Sequence, residues 1–354
     1  MKIAILGIYP PPTGGISIYI KRFLFFLNKR EINNILYNGG DFINEKKNII
    51  HLRFRKKLLR MIFDKSDIIH SNEIGMKARM VIPIFRFFNK KIILSIHGDS
   101  FKTQINKLSG FKKKIFIYQI KKYDHIIVVN PGIKQLLIEQ GLNKIKVSVI
   151  PAFIPPTSYE TDISQLQDFF YKIRKKHKFL ITANASQIRL YKDQDLYGID
   201  LSIELMKILI DKGYKNVGFI YVIPDIGDYD YYKKLQNLVK KYNLENNFYF
   251  YTKPVAYPAV INMCDLFIRP TNTDGYGVSI AEAISLKTPA IASDVCKRPE
   301  GTILFENRNI DDLYSKTVRV IDNYNEEKKK IENIEFEDNA ERIIEVYKKV
   351  LNEK

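Results

Sequence analysis

The chain has 354 residues, too many for one typical core and suited to two domains of roughly 150–200 residues each. With 45% hydrophobic and 27% charged residues it has the balance of a soluble globular protein. Cys264 and Cys296 give no disulfide framework, which fits a reducing cytoplasm, and neither has a second Cys or a His at ligand spacing. The opening Met1-Lys2-Ile3-Ala4-Ile5-Leu6-Gly7 is too short an apolar run for a signal peptide. No stretch reaches the ~18–20 apolar residues of a membrane span.

The net charge of +18 is one-sided. Residues 1–150 hold 28 Lys and Arg against 9 Asp and Glu, whereas the other 204 hold 29 against 30. An AT-rich genome would raise Lys throughout but would not produce this asymmetry. A basic first half points to an anionic partner: nucleic acid, anionic lipid or a phosphorylated substrate.

In chain order, residues 2–7 read as a first strand. They lead into Ile8-Tyr9-Pro10-Pro11-Pro12-Thr13-Gly14-Gly15, where Gly14 and Gly15 predict a tight turn before a helix over 16–28. The loop is not G-x-G-x-x-G, so the dinucleotide fingerprint is absent. It offers backbone N–H groups to a phosphate or sugar, and it reads equally as a plain turn. Basic residues flank bulky apolar ones in the stretches 21–30, 53–63, 86–91 and 111–116. Helices of this kind lie on anionic membrane surfaces. Alternatively, their Phe and Leu face a core and their Lys are solvated.

Strand-like runs follow at 68–70, 91–96, 125–129 and 147–150, with helical stretches between them. The alternation predicts a parallel sheet covered on both faces. Ligands bind at the carboxyl ends of such strands. His97-Gly98-Asp99, Asn72-Glu73 and Asn130-Pro131-Gly132 are placed there. Pro151-Ala152-Phe153-Ile154-Pro155-Pro156 breaks the pattern as a hinge, and 157–177 reads as polar and helical.

A second α/β series starts at Phe179–Asn184. A long loop over 186–197 carries Arg189 and Lys192 and ends in Tyr197-Gly198-Ile199-Asp200. Asp228-Tyr229-Asp230 matches a D-x-D pattern but directly precedes a helix, whose N-terminus favours acidic residues. The most informative stretch is Arg269-Pro270-Thr271-Asn272-Thr273-Asp274-Gly275-Tyr276-Gly277-Val278-Ser279-Ile280-Ala281-Glu282, entered by Leu266-Phe267-Ile268 and left by a strand over 290–293. Strand, glycine loop and helix N-terminus together suit an anion, and a carboxylate one turn into the helix suits sugar hydroxyls. An ordinary strand-to-helix turn with an exposed Asp and Glu has the same pattern.

These residues resemble the retaining glycosyltransferases of family 4, and the likeness runs in order through nearly the whole chain. Asp274 to Glu282 is similar to the family's acid-x7-acid signature. Gly14-Gly15, His97-Gly98, the hinge over 147–156 and Gly198-Ile199-Asp200 are similar to its other landmarks. The resemblance implies an α/β protein of two Rossmann-like domains facing a cleft, the GT-B fold. The domains would be 1–155, acceptor-binding, with a C-terminal helix near 338–354 packing back on it, and 156–337, donor-binding. It implies His97, Asp274 and Glu282 as catalytic residues. It implies donor contacts from Gly14, Gly15, Asn184, Arg189, Lys192, Gly275, Tyr276, Gly277, Val278 and Glu282. Glu282 would take the ribose hydroxyls, and Asp274 with the backbone of Gly275–Gly277 the hexose and diphosphate.

Metal ions and cofactors are not required under this resemblance. The implied partners are a nucleotide-sugar and a glycan or lipid-linked acceptor at an anionic membrane surface, with no nucleic acid. The location would be cytoplasmic, peripheral on the inner face of the plasma membrane, in polysaccharide, O-antigen or capsule assembly.

The sequence departs from the family at the hinge, where Pro151-Ala152-Phe153 stands for the usual Pro-Asn-Gly, and in three places on the donor side. Asp274 stands where Glu is usual, Ala183-Asn184 replaces the usual Gly-Arg pair, and Tyr197 replaces a Lys. Arg189, Lys192 or the pair Lys297-Arg298 would then neutralise the diphosphate. A sugar-nucleotide epimerase of the same fold and a basic nucleic-acid-binding protein are the competing readings.

Overall fold

A computed structural model describes residues 1–12, 14–40, 42–44, 48–51, 54–98 and 100–353, without the side chains of 54, 55 and 57. Thr13, Arg53 and Asp99, named above, lie outside the described residues.

The chain runs β1 (Lys2–Gly7), α1 (Gly15–Lys29), β2 (Asn33–Asn38), β3 (Ile49–His51), α2 (Phe54–Phe63), β4 (Ile68–Ser71), α3 (Met76–Val81), β5 (Lys91–Ile96), α4 (Ser100–Lys107), α5 (Gly110–Lys121), β6 (His125–Val128), α6 (Pro131–Glu139) and β7 (Val147–Val149). It continues α7 (Ser158–Thr161), α8 (Asp168–Lys176), β8 (Phe179–Asn184), β9 (Leu190–Tyr191), β10 (Gln194–Asp195), α9 (Ile199–Asp211), β11 (Val217–Val222), α10 (Tyr229–Lys241), β12 (Phe248–Tyr251), α11 (Tyr257–Met263), β13 (Leu266–Arg269), α12 (Val278–Ser285), β14 (Ala290–Ser293), β15 (Ile303–Phe305), α13 (Ile310–Asp322), α14 (Tyr324–Glu332) and α15 (Asn339–Asn352). A 3-10 segment, Ile82–Phe88, joins α3 to β5. No helix among the described residues is long and apolar enough to cross a membrane.

Two compact units result: Met1–Ile154 with Glu337–Lys354, and Pro155–Phe336. In the first unit the strand order is β3-β2-β1-β4-β5-β6-β7, every pair parallel. Strand side chains alternate between two cores, as a sheet covered on both faces requires. One core joins Ala4, Leu6, Ile92 and Leu94 to helices α2 to α6. The other joins Ile3, Ile5 and Ile93 to Phe23 and Leu27 of α1 and to Ile343, Tyr347 and Val350 of α15.

Helix α15 is pinned by polar bonds as well. The buried His70 of β4 has Nδ1 2.5 Å from the Tyr347 hydroxyl and Nε2 2.7 Å from Ser95 Oγ. Asn339 donates to the Phe153 carbonyl at 2.9 Å, and Arg342 to the Val149 carbonyl.

The second unit orders its main sheet β12-β11-β8-β13-β14-β15, again all parallel. In each unit chain order reverses beside the first strand: between β1 and β4, and between β8 and β13. Crevices at the carboxyl ends of strands open at such reversals.

Three local expectations are corrected. Residues 186–197 are not an open loop: β9 and β10 pair as a hairpin whose two-residue turn, Lys192-Asp193, has both φ positive (51° and 59°). Gly14 is extended at φ −162° and caps α1, so no tight turn demands glycine at 14. The polar stretch 157–177 is broken into α7, a 3-10 turn and α8.

Candidate functional site

In the second unit β13 delivers Arg269 to its carboxyl edge. The β8–β13 register, Phe267 with Thr182, puts Arg269 level with Asn184. The chain then loops through Asp274 to Gly277, which starts α12 in the left-handed region at φ 84°. A Cβ on Gly277 would sit 2.5 Å from Ile280 Cδ1 and 3.1 Å from an Arg298 nitrogen, so glycine is required for both conformation and space. The first N–H groups of α12 have no intrahelical acceptor. Gly198, at φ 66°, lets the start of α9 approach the Pro270 carbonyl, which a Cβ there would meet at 2.2 Å. The two loops therefore close on one another over the β8–β13 reversal. Asn272 binds the hairpin from this side, its N–H donating to the Leu196 carbonyl at 3.1 Å.

Glu282 is buried, 6% exposed, in the second turn of α12. Burial keeps the Tyr257 hydroxyl protonated, with Cys264 and the nearby Glu282 adding to the effect. The reading of 269–282 as a turn with an exposed Asp and Glu does not hold, because Asp274 is enclosed too. Its Oδ2 accepts from Arg269 Nε at 2.5 Å and from Arg298 Nη1 at 2.8 Å, and its Oδ1 from the Gly275 N–H at 2.9 Å. Burial pushes its carboxyl up, but the paired guanidinium groups outweigh this and hold it well below the usual range.

Arg298, only 1% exposed, also donates to the Ser293 carbonyl, Ser293 Oγ and Thr271 Oγ1. It ties the ends of β13 and β14 together, and each of its three nitrogens donates a hydrogen bond. Arg269 donates Nη1 to Ser279 Oγ at 3.3 Å and lies 5.8 Å from the Tyr197 ring centroid.

The other donor-side residues divide. Asn184 stands at the crevice with a buried Oδ1 that has no partner among the described residues, and Asn272 Oδ1 is in the same state. Arg189, Lys192 and Lys297 are exposed; Arg189 binds Gln187 Oε1, and Lys192 lies over the Tyr191 ring at the hairpin tip. Gly275, Tyr276 and Val278 lie in or border the glycine loop. Asp200 forms a two-point pair with Arg308 at 2.9 and 2.6 Å. Asp228 caps α10 by accepting from the Tyr231 N–H. Among the described residues no three His, Cys, Asp or Glu side chains converge as a metal-binding group.

In the first unit His97 follows β5. Its Nε2 is 2.7 Å from Asn72 Oδ1, and among the described residues its buried Nδ1 and the Asn72 Nδ2 have no partner. Burial first, then the Arg79 guanidinium, pulls its pKa down to about 4, which keeps the ring neutral. The Tyr19 ring packs edge-on at 4.7 Å. Among the described residues a Cβ on Gly14 or Gly15 would meet nothing within 4 Å.

The basic-apolar stretches split. In α1, Phe23, Leu24 and Leu27 face the core. In the other stretches Met61 and Phe116 are buried, whereas Leu59 and Phe63 of α2, Phe87 and Phe88 of the 3-10 segment and Phe111 of α5 are 63%, 83%, 83%, 45% and 76% exposed.

Arg269 was missing from the expected site. An arginine closing Leu266-Phe267-Ile268 reads as a solvated strand end, and its link to Arg298 through Asp274 is not a local pattern. Its one signal was the carboxyl end of a strand beside a glycine loop.

Residues 168–337 match the family profile of Glycosyl transferases group 1, and 19–158 that of Glycosyltransferase Family 4. An uncharacterized glycosyltransferase of Methanocaldococcus jannaschii is 25% identical over 352 aligned residues, covering 91% of this chain and 89% of its own. The capsular polysaccharide biosynthesis glycosyltransferase CapM of Staphylococcus aureus is 25% identical over 71% of this chain and 65% of that one. The crystal structure of a Rickettsia africae glycosyltransferase superposes over 100% of both chains with a TM-score of 0.72 at 17% identity. Anabaena HepE in complex with UDP-glucose gives 0.70 at 15% identity, over 99% of this chain and 98% of that one. With these profiles spanning most of the sequence and two parallel-sheet α/β units of matching fold, the chain belongs to the GT-B glycosyltransferases of group 1 and family 4 and is a transferase enzyme.

Proposed function

We propose that the enzyme moves a hexose, with retention of anomeric configuration, from a nucleotide-sugar to a glycan or polyprenyl-diphosphate-linked acceptor in cell-surface polysaccharide synthesis. The observation that carries the donor half is the glycine loop running from Asp274 into α12, with Glu282 buried behind it at the β8–β13 reversal. It supplies helix N–H groups for a diphosphate and a carboxylate for ribose hydroxyls. HepE, of the same fold, was crystallised with UDP-glucose, and CapM is named for capsule synthesis; both support the reading.

The main catalytic task is to stabilise the departing nucleoside diphosphate, and it falls to α12 and the basic side chains beside it. His97, neutral and with Nδ1 open, hydrogen-bonds a hydroxyl of the transferred sugar. The family's front-face route needs no carboxylate nucleophile. Membership in a transferase family does not favour the epimerase or nucleic-acid readings.

The acceptor half rests on the first unit. Its exposed Leu59, Phe63, Phe87, Phe88 and Phe111 stand among Lys56, Arg60, Arg86 and Lys112–Lys114, on elements that cover one face of the sheet. Exposed apolar side chains interspersed with cations on one side of the sheet suit the cytoplasmic face of an anionic membrane. Co-sedimentation with anionic and neutral vesicles at low and high salt tests this. We expect binding to anionic vesicles only, weakened by salt; equal binding to both sinks the membrane part.

A nucleotide-sugar panel read by product formation tests the transfer. With Glu282→Gln, turnover falls by roughly 10²–10³ at unchanged melting temperature. Wild-type rates in that variant remove the site assignment. Because the leaving-group charge is assigned to protein donors, transfer should survive EDTA.

A further inference from the structure

Two guanidinium groups and one carboxylate, Arg269, Arg298 and Asp274, are enclosed at the positive end of α12. Within these three side chains the two guanidinium groups exceed the one carboxylate of Asp274; the next carboxylate, Glu282, is buried one turn further into α12. The dipole of α12 adds to this excess instead of offsetting it. Burying an excess charge is costly unless an anion meets it. Arg298 donates from each of its three nitrogens, to Asp274, Ser293 and Thr271. Arg269 does not. Its Nε goes to Asp274 and its Nη1 to Ser279, and among the described residues Nη2 has no acceptor. The Asn184 side-chain oxygen, at the end of β8, and that of Asn272, on the loop after β13, are buried without a partner among the described residues. Two unpartnered acceptors beside an unpaired guanidinium nitrogen mark a place that a ligand with both hydroxyl donors and an anionic group completes.

Resting on the nucleotide-sugar reading above, we infer that Arg269 is the side chain that meets the donor's diphosphate, and that Asp274 is its positioning residue and not a sugar contact. The two positions where the family carries its basic residues, here Asn184 and Tyr197, border Arg269. Asn184 is level with it across β8–β13, and the Tyr197 ring faces its guanidinium. The charge has moved one strand over, into the place those residues leave. Asp274 takes Nε, which fixes the plane of the fork, and Arg298 holds Asp274 from behind.

The test uses the whole protein and the nucleoside diphosphates UDP, GDP and ADP, each with its parent nucleoside. For the pair that wild type binds, the ratio of diphosphate to nucleoside affinity is measured in wild type, Arg269→Gln, Arg269→Lys and Asp274→Asn. A ratio within one preparation is insensitive to the folded fraction, so a destabilised variant still reports. We expect Arg269→Gln to lower the ratio by at least about tenfold. Arg269→Lys, which keeps charge but loses the fork, should fall between Gln and wild type. Asp274→Asn should lower the ratio less than Arg269→Gln does, as befits a residue acting through another. An unchanged ratio in Arg269→Gln overturns the assignment while leaving the donor reading intact. If wild type binds none of the three diphosphates, the donor reading fails and the assignment with it.

Discussion

Asp274 is one methylene shorter than the glutamate usual at its position, and its partners give that difference a physical meaning. A short carboxylate drawn back between Arg269 and Arg298 is a structural anion first. Asp274→Ala leaves two enclosed guanidinium groups without their counter-ion, so we expect a loss of about 3–5 kcal/mol in urea unfolding. Loss of activity alone, at wild-type stability, would contradict this role. Two glycines provide a contrast. Gly277→Ala meets Ile280 at once and sits at φ 84°, so it should cost about 1–2 kcal/mol and lower the melting temperature. Gly14→Ala, in an extended conformation, meets nothing within 4 Å among the described residues, so stability should be unchanged; a drop in turnover would then report a ligand passing that loop. Residue types at 274 and 282 were legible as a pair because eight-residue spacing across a glycine turn is a local pattern. The role of Asp274 was not, since it depends on Arg298, a side chain 24 positions away.

Among the elements, the strands with continuous apolar runs were readable: β1, β5, β8, β11 and β13 are central, buried on both faces and rich in Ile, Val, Leu and Phe. Strand β2 escaped notice because Asn-Asn-Ile-Leu-Tyr-Asn carries weak strand propensity, and only its place beside β1 makes it a strand. The β9–β10 hairpin escaped because Lys192-Asp193 lacks the glycine that usually marks a turn with two positive φ angles.

Strand β4 carries a titration consequence. Burial, then repulsion from His97, lowers the His70 pKa to about 3, so the fold holds it neutral. The unfolded chain takes up that proton near pH 6.5. Stability is therefore full above about pH 6.5 and falls on acidification towards pH 3, by up to about 1.4 kcal/mol per pH unit. His97, at about 4, adds a second contribution of the same sign. Urea midpoints at pH 7 and pH 5 should separate accordingly, and His70→Gln, which binds no proton, should narrow the gap. An equal gap in both proteins removes His70 as the cause.

For the molecule as a whole, the charge count and the fold agree. The surplus of Lys and Arg lies within residues 1–150, and those residues belong to the unit that also exposes Phe63, Phe87 and Phe111. Composition showed the asymmetry; which aromatic rings turn outward was decided by packing against the sheet and could not be read from the basic-apolar pattern. That unit is discontinuous, leaving off at Ile154 and resuming at Glu337. Residues 1–154 expressed alone should aggregate, because the Ile343, Tyr347 and Val350 side of a core is missing, and a peptide of residues 337–354 supplied in trans should restore solubility. A soluble, cooperatively folded 1–154 fragment would contradict that. The same discontinuity sets an order of events on the ribosome. Domains usually complete in the order they emerge, but here the first cannot close until the last helix is made. Synthesis of the 182 intervening residues takes roughly 10–40 s, during which the α1 face of the first sheet lacks its cover. The nascent first half is then a client for chaperones, and α15 is the piece that releases it.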